Sequence, residues 1–316
     1  MMKLFSGTAN PPLTQEVAKI LKIPVAQSEV VRFGNSEVRV KINEKVKNDE
    51  CFILQTTANP TDTNLMELFF FCDALRRQEA KKVVGILPYF GYARQDIQHR
   101  PGECVSVNVI IHFLETIGFA KIYTVNLHDE ATEGVFAIPF KNISALPLLA
   151  DTIRSYLSTD SKNLTNLVSV VSPDQGGIER AREFEDELLN NGEHSSDIPL
   201  VVIEKRRHLN KIHKSEALAL YGNVKGKIVV IVDDMITSGG TLINAAQLCL
   251  NAGASKVIAA VVHHDFADNI KDKLQNSPIE KFFMTNSIAL KEDQKFPKLV
   301  EISIAPLIAQ EISNLE

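Results

Sequence analysis

The sequence predicts an α/β fold made of two similar domains, each a mainly parallel sheet flanked by helices. Three observations predict it. Short apolar runs rich in valine and isoleucine recur along the chain, and they are continuous, which marks strands buried on both faces. Between them lie segments with apolar residues at three- and four-residue spacing, the pattern of amphipathic helices. Strand–helix–strand alternation of this kind builds parallel sheets with right-handed crossovers.

In chain order, the first such strand is "CFILQTT" (51–57). The helix "TNLMELFFFCDALRRQ" (63–78) follows, with Leu65, Leu68, Phe69, Cys72 and Leu75 on one face. Strand "KKVVGILPYF" (81–90), helix "VNVIIHFLETIG" (107–118), stopped by Gly118, and strand "KIYTVNL" (121–127) continue the first half. The rhythm restarts near residues 143–150, so domains are expected at 1–145 and 146–316. The second half carries strands "LVSVVSPD" (167–174), "PLVVIEK" (199–205), "KIVVIVDD" (227–234) and "KVIAAVVHH" (256–264). A helix beginning near Leu242 and stopping near Gly253 separates the last two. The tail "VEISIAPLIAQEISNLE" (300–316) reads as a strand and a helix, and the last ~25 residues could pack back on the N-terminal domain. "ALRRQEAKKVVGILPYF" and "LCLNAGASKVIAAVVHH" share a helix–turn–strand cadence, which hints at an internal duplication.

Composition narrows the function classes. A chain of 316 residues, 45% of them hydrophobic, can bury a sizeable core and suits two domains of ~150 residues. Net charge is −5, from 34 Lys+Arg against 39 Asp+Glu, with no basic block, so no nucleic-acid partner is expected. No apolar stretch approaches the ~20 residues that span a bilayer, and "MMKLFSGTANPP" lacks a signal-peptide layout. A cytoplasmic protein without a membrane partner is expected. Cys51, Cys72, Cys104 and Cys249 form no C-x-x-C pair and are expected to be reduced and mostly buried, with no structural zinc.

The stretch "VVIVDDMITSGGTL" (229–242) carries the chemistry. Asp233 and Asp234 end an apolar strand, where ligands gather in open α/β sheets. Thr237, Ser238, Gly239, Gly240 and Thr241 then lead into a helix, so backbone N–H groups and hydroxyls face outward as a phosphate cradle. The two carboxylates would repel that phosphate; their use is to hydrogen-bond neutral hydroxyls beside it, such as those of a ribose. A second strand end, "VSPDQGG" (171–177), places Asp174 beside paired glycines, a turn able to hold a metal-bound diphosphate. Arg180 and Arg182 follow at helical spacing and read equally well as a solvated face.

"VVIVDDMITSGGTL" resembles the phosphoribosyl-pyrophosphate loop of the type I phosphoribosyltransferase fold. The surrounding chain resembles the ribose-phosphate pyrophosphokinases over nearly its whole length, through "MKLFSGTANPPL", "NLMELFFFCDALRR", "PYFGYARQD", "VVSPDQGGIERARE", "EKRRH" and "GNVKGKIVVIVDDMI" in that order. The resemblance implies two phosphoribosyltransferase-like domains. It also implies transfer of the diphosphoryl group of ATP to the anomeric hydroxyl of ribose 5-phosphate, with Mg²⁺, or alternatively Mn²⁺, as cofactor. Lys205 and Arg207 of "EKRRH" would then be the catalytic cations at a mobile loop, and the polar stretch 207–224 is expected to be mobile without substrate. His128 and Asp174 would serve the metal. Phe33, Asn35 and Glu37 of "RFGNSEVRV" would select the adenine, although without the resemblance that stretch is equally an ordinary hairpin. Arg94 and Gln95 of "YARQD" would meet the ATP phosphates. Dimers assembling into hexamers are expected on the same ground.

Several positions depart from the family pattern. Thr237 and Ser238 stand where aspartate and threonine are usual, Asn126 and Lys141 where aspartates are usual, and Glu133 and Val135 where glutamine and phenylalanine are usual. "FGNSE" replaces a more typical F-S-D-G-E, and "QDIQHR" lacks the usual basic residues. Altered metal use or regulation is the expected consequence. A non-catalytic regulatory relative and, further off, a phosphoribosyltransferase are the alternative readings.

Overall fold

Lys3–Ser6 belong to the first strand of a parallel sheet, β1 (Met2–Ser6), and Asn10 then starts α1 (Pro11–Leu21). The Asn10 side chain accepts from the Leu13 N–H, and the two prolines at the start supply preset helical φ without losing a needed donor. The computed structural model describes residues 1–98, 100–157, 164, 166–189, 200–206 and 217–314, with the side chains of 205, 206, 217 and 218 excepted.

The chain divides into two compact units: residues 1–144, 286–289 and 303–316 form one, and residues 145–285 and 290–302 the other. In the first unit β1 and α1 are followed by β2 (Val25–Ala26), β3 (Ser28–Arg32), β4 (Val38–Ile42), β5 (Glu50–Leu54), α2 (Thr61–Arg77), β6 (Lys82–Leu87), α3 (Ser106–Ile117), β7 (Lys121–Val125) and β8 (Phe140–Ile143). Six strands form one sheet in the order β2-β1-β5-β6-β7-β8, parallel throughout. β3 and β4 form a separate antiparallel hairpin. Gly118 ends α3 in the left-handed conformation, with φ 105°, as the sequence suggested. Phe5, Ile53, Leu68, Phe71, Ile111 and Ile122 are among the buried side chains of the core between sheet and helices.

The second unit comprises α4 (Leu146–Leu157), β9 (Val168–Ser172), α5 (Ile178–Leu189), β10 (Val201–Arg206), β11 (Ala217–Tyr221), β12 (Ile228–Ile236), α6 (Gly240–Asn251), β13 (Lys256–His264), α7 (Ile270–Gln275), β14 (Phe282–Thr285) and β15 (Leu299–Ile302). Its seven-stranded sheet runs β11-β10-β9-β12-β13-β14-β15, parallel except for the β10–β11 pair. The fold is therefore α/β with two parallel-dominated sheets flanked by helices, the class the apolar runs predicted. β12 and β13 are buried along nearly their whole length because each has a strand on either side and helices over the faces.

Some expectations are corrected. Residues 217–221 of the stretch expected to be mobile form the edge strand β11, paired with β10 from Val202↔Tyr221 to Arg206↔Ala217. The helix expected near Leu242 begins at Gly240. The last helix, α8 (Ala305–Ser313), packs on α1 in the first unit, whereas β15 belongs to the second unit's sheet. Three cysteines are buried and free, and Cys104 is exposed and free. Among the described residues no helix is long and apolar enough to cross a membrane.

Candidate functional site

In the second unit β9 and β12 are parallel neighbours, so their carboxyl ends open on the same side. β9 ends at Ser172 and delivers Asp174; β12 runs on to deliver Asp233 and Asp234. Asp234 is 5% exposed. Its N–H donates to Asp233 Oδ1 at 2.9 Å, which fixes one carboxylate against the backbone of the next. Burial, first, and then the charge and hydrogen bond of Asp234 hold the Asp233 carboxyl well above the usual carboxylate range. Arg180 pulls the other way, its Nη1 lying 3.7 Å from Asp233 Oδ1 and 3.4 Å from Asp234 Oδ1.

The turn after β9 is built around Asp174. Ser172 Oγ donates to the Asp174 carbonyl at 2.6 Å, and Gly177 N–H donates to Asp174 Oδ1 at 3.2 Å. A Cβ on Gly177 would come within 2.9 Å of Ser172 Oγ and 3.5 Å of Arg180 Nη1, so glycine there lets the guanidinium approach. Arg180 sits in the first turn of α5 and is largely buried against the acids, whereas Arg182 points to solvent. The reading of both as a solvated face is therefore wrong for Arg180. Its signal in sequence is only that it follows Asp174 by less than two helical turns, on the first turn of a helix leaving a strand end.

The loop from β12 to α6 is the second half of the site. Gly239 is the N-cap of α6 with φ 70°, a conformation that disfavours a Cβ, and an added Cβ would meet Leu274 Cδ2 at 2.8 Å. Gly239 offers no side chain to cap α6, so this helix start has the character of an anion-binding terminus. Ala267 N–H donates to the Thr237 carbonyl at 3.1 Å, and Lys273 Nζ donates to the Ser238 carbonyl at 2.7 Å. Lys273, on α7, also lies 3.9 Å from where a Gly240 Cβ would stand, so a cation borders the loop. Nothing in the sequence around Lys273 signals this; it comes from the packing of α7.

The first unit holds the other predicted residues. Phe33, Asn35 and Glu37 form the tip of the β3–β4 hairpin. Phe33 N–H donates to the Glu37 carbonyl at 2.8 Å, Ser36 N–H to the Phe33 carbonyl at 2.9 Å, and Glu37 N–H to Asn35 Oδ1 at 3.2 Å. The Asn35 side-chain oxygen thus serves the turn. The Phe33 ring is 45% exposed, with the Arg39 guanidinium 5.9 Å from its centroid. Arg94 and Gln95 are exposed after β6; Gln95 Oε1 accepts from the Ser106 hydroxyl at the start of α3. His128 is exposed just past β7, where Asp129 Oδ1 accepts from Ala131 N–H at 2.8 Å. It lies in the first unit and Asp174 in the second. Two departures from the family pattern have local roles here: Lys141 pairs with Glu311 on α8 at 2.5 Å, and buried Asn126 adopts a left-handed φ of 39°, which asparagine tolerates better than most residues.

Lys205 is placed on β10, opposite Leu218 of β11, with its side chain outside the described residues. Arg207 itself lies outside the described residues. Among the described residues no three His, Cys, Asp or Glu side chains group to hold a metal ion. Magnesium does not require such a group, since it keeps several waters and uses one or two carboxylates plus substrate phosphates. Asp174, Asp233 and Asp234 are oxygen donors of that kind.

The chain matches two family models, the N-terminal domain of ribose phosphate pyrophosphokinase over residues 2–118 and the phosphoribosyl transferase domain over residues 139–301. It is 39% identical to a ribose-phosphate pyrophosphokinase of Vibrio parahaemolyticus over 316 residues, covering 99% of this chain and 96% of that protein. It is 38% identical to ribose-phosphate pyrophosphokinase 1 of Streptococcus agalactiae, covering 99% and 94%. The crystal structure of phosphoribosylpyrophosphate synthetase from Mycobacterium smegmatis superposes with a TM-score of 0.89 at 34% identity, covering 99% of this chain and 98% of that one. With both domain models matched in order and relatives aligned end to end, this chain belongs to the ribose-phosphate pyrophosphokinase family.

Proposed function

We propose that this chain transfers the diphosphoryl group of ATP to the anomeric hydroxyl of ribose 5-phosphate, giving 5-phosphoribosyl 1-pyrophosphate and AMP. The observation that carries this reading is the pairing of half-buried Asp233 and buried Asp234 with a glycine-led helix start that no side chain caps, on one strand end. A neutral sugar and an anion side by side suit that pairing better than any other simple ligand. Family membership over the whole chain, N-terminal domain included, favours the synthetase over a phosphoribosyltransferase.

In this reading the loop 237–241 binds the 5-phosphate with its amides and hydroxyls, and Lys273 adds positive charge at its edge. Asp233 and Asp234 accept hydrogen bonds from the ring hydroxyls and fix the sugar so that its anomeric hydroxyl faces the β-phosphorus. Arg180 keeps the two acids together and lowers their mutual repulsion. Phe33 stacks on the adenine, with Asn35 and Glu37 at its polar edge, and Arg94 and Gln95 meet the phosphates. Lys205 and Arg207 offset the charge that spreads over the group in flight. Mg²⁺, with Mn²⁺ as the substitute, would take Asp174 as a ligand in the second unit, with His128 as the metal residue of the first, and when bound supplies charge neutralisation on the phosphate oxygens. Positioning of this kind supplies several kcal/mol, on the order of intramolecular effective-molarity gains. The protein works in the cytoplasm and assembles from dimers into hexamers. Exposed Met66 and Phe70 on α2 and Val109 and Phe113 on α3 offer an apolar surface for that assembly.

The test is ³¹P NMR of the purified protein with ATP, Mg²⁺ and ribose 5-phosphate. Ribose-dependent appearance of AMP together with pyrophosphorylated ribose is the expected result. Silence with Mg²⁺, with Mn²⁺ and with added phosphate would instead make the chain a non-catalytic regulatory member of the family.

A further inference from the structure

Glu67 lies on the inner face of α2 with no exposed surface, between core residues Leu65 and Leu68. A buried carboxylate is costly unless donors surround it. Four reach Glu67: the Thr8 N–H at 2.7 Å, the Thr8 hydroxyl at 2.7 Å, Gln55 Nε2 at 3.1 Å and Arg32 Nη2 at 2.8 Å. They come from the turn after β1, the chain after β5 and the last residue of β3. Gln55 is itself held, accepting from the Ala9 N–H at 3.0 Å. Among these donors only Arg32 brings a countercharge, and Arg32 directly precedes Phe33.

The hairpin needs such an anchor. β3 and β4 stand apart from the six-stranded sheet, so no ladder sets their direction. Val30 and Val40 pack on the core of the first unit, but apolar contact is non-directional. Gln78 Nε2 donates to the Ile42 carbonyl at 3.2 Å and ties the base of the hairpin to the end of α2. The Arg32–Glu67 pair ties the other end, where the tip begins. Beyond Arg32 the turn is closed on itself by the Phe33–Glu37 and Ser36–Phe33 hydrogen bonds, so Arg32 is where that closed tip joins the rest of the hairpin.

We infer that Glu67, acting through Arg32, is a positioning residue that sets the angle at which the Phe33 ring meets the nucleotide base. The inference rests on the reading of Phe33 as the base platform. A directional, charge-assisted bond to a rigid buried acceptor fixes the hinge of the platform, and losing it lets the ring sample angles at which stacking is weaker.

The chain contains no tryptophan, so Phe33→Trp places a single fluorophore on the tip. Arg32 is the residue to perturb because its side chain is 37% exposed and its loss leaves Glu67 with three donors. Glu67→Gln would aim an amide NH₂ at the Thr8 donors inside the core and is prone to misfold. Full-length protein carrying Phe33→Trp is titrated with MgATP alone, with Arg32→Gln and with Arg32→Lys. The Michaelis constants for ATP and ribose 5-phosphate are measured in the same arginine variants with Phe33 intact. Arg32→Gln is expected to raise the ATP midpoint and the KM for ATP by about tenfold, or about 1.4 kcal/mol. Arg32→Lys restores part of this, and the KM for ribose 5-phosphate stays where it was. A tryptophan that responds to ATP at the same midpoint with and without Arg32→Gln overturns the inference and leaves the platform reading standing. An equal rise in both Michaelis constants marks a merely structural role and also overturns it. A tryptophan blind to ATP overturns the platform reading itself, and the inference with it.

Discussion

Replacing Arg180 with methionine keeps most of the side-chain volume and removes the charge that faces Asp233 and Asp234. At an effective dielectric constant of ~20, unit charges at the observed 3.4 and 3.7 Å attract by about 4–5 kcal/mol each. Desolvation of the guanidinium and repulsion between the acids cancel much of that, and truncating one member of a buried ion cluster costs about 3–5 kcal/mol. The acids can limit the loss by taking up a proton. Asp233 is already held above the carboxylate range by burial and by Asp234, and without Arg180 it moves further up. The folded variant then binds more protons than its unfolded chain above ~pH 4, so its stability falls as pH rises from there up to the raised folded-state value. The expected destabilisation is smaller at pH 6 than at pH 8, and approaches about 3 kcal/mol where both acids are ionised. Urea unfolding followed by circular dichroism at the two pH values measures it, and the KM for ribose 5-phosphate should rise with the KM for ATP unmoved. A shift that is the same at both pH values, or below about 0.5 kcal/mol at pH 8, would refute the claim that Arg180 holds a buried acid pair.

Asp234→Ala removes a charged acceptor worth about 1.5–3 kcal/mol to a bound hydroxyl, so the KM for ribose 5-phosphate should rise about 10- to 150-fold. Equilibrium binding of ATP to the same variant should be unchanged; its loss would contradict the role given to that aspartate. Gly239→Ala forces a side chain into φ 70° with Leu274 only 2.8 Å away, and should lower the melting temperature by about 3–6 °C in a calorimetric scan. The Glu185 carboxyl is pushed up to about 7, chiefly by burial and then by Asp186. The folded state therefore keeps its proton between the unfolded value near 4.5 and about 7, and stability declines across that window. Glu185→Gln should stabilise the fold by about 1 kcal/mol at pH 8 and by nothing near pH 4.5, as read from denaturant midpoints. Burial pushes the Cys51, Cys72 and Cys249 thiols up to about 12, so a thiol reagent on native protein should titrate Cys104 quickly and the rest only after unfolding.

The alternation of apolar runs with amphipathic stretches was enough to read the class of fold, because period and continuity are local properties that burial on both faces imposes on every central strand. The same holds for Asp233, Asp234 and the loop after them, where strand end, turn glycine and helix start are contiguous in the chain. What was not legible is the set of partners. Arg180 looked like any basic residue on a helix, and Lys273 carried no mark at all, since the helix and strand between it and Ser238 decide that they meet. β11 was hidden for a related reason: an edge strand with polar neighbours declares itself only through the strand it pairs with.

By itself, then, the sequence determined a two-part α/β chain, its central strands and an acid pair set beside an anion-binding turn. The tertiary structure decided which charges those groups would face, that α8 and β15 would serve different units, and that a buried Glu67 would meet Arg32 at the tip end of the hairpin. The physical reason is the range of the forces. Backbone preference and hydrophobic periodicity act between neighbours in the chain, whereas a charge inside a protein is satisfied by whichever donors the fold brings within about 3 Å, however far away they lie in sequence.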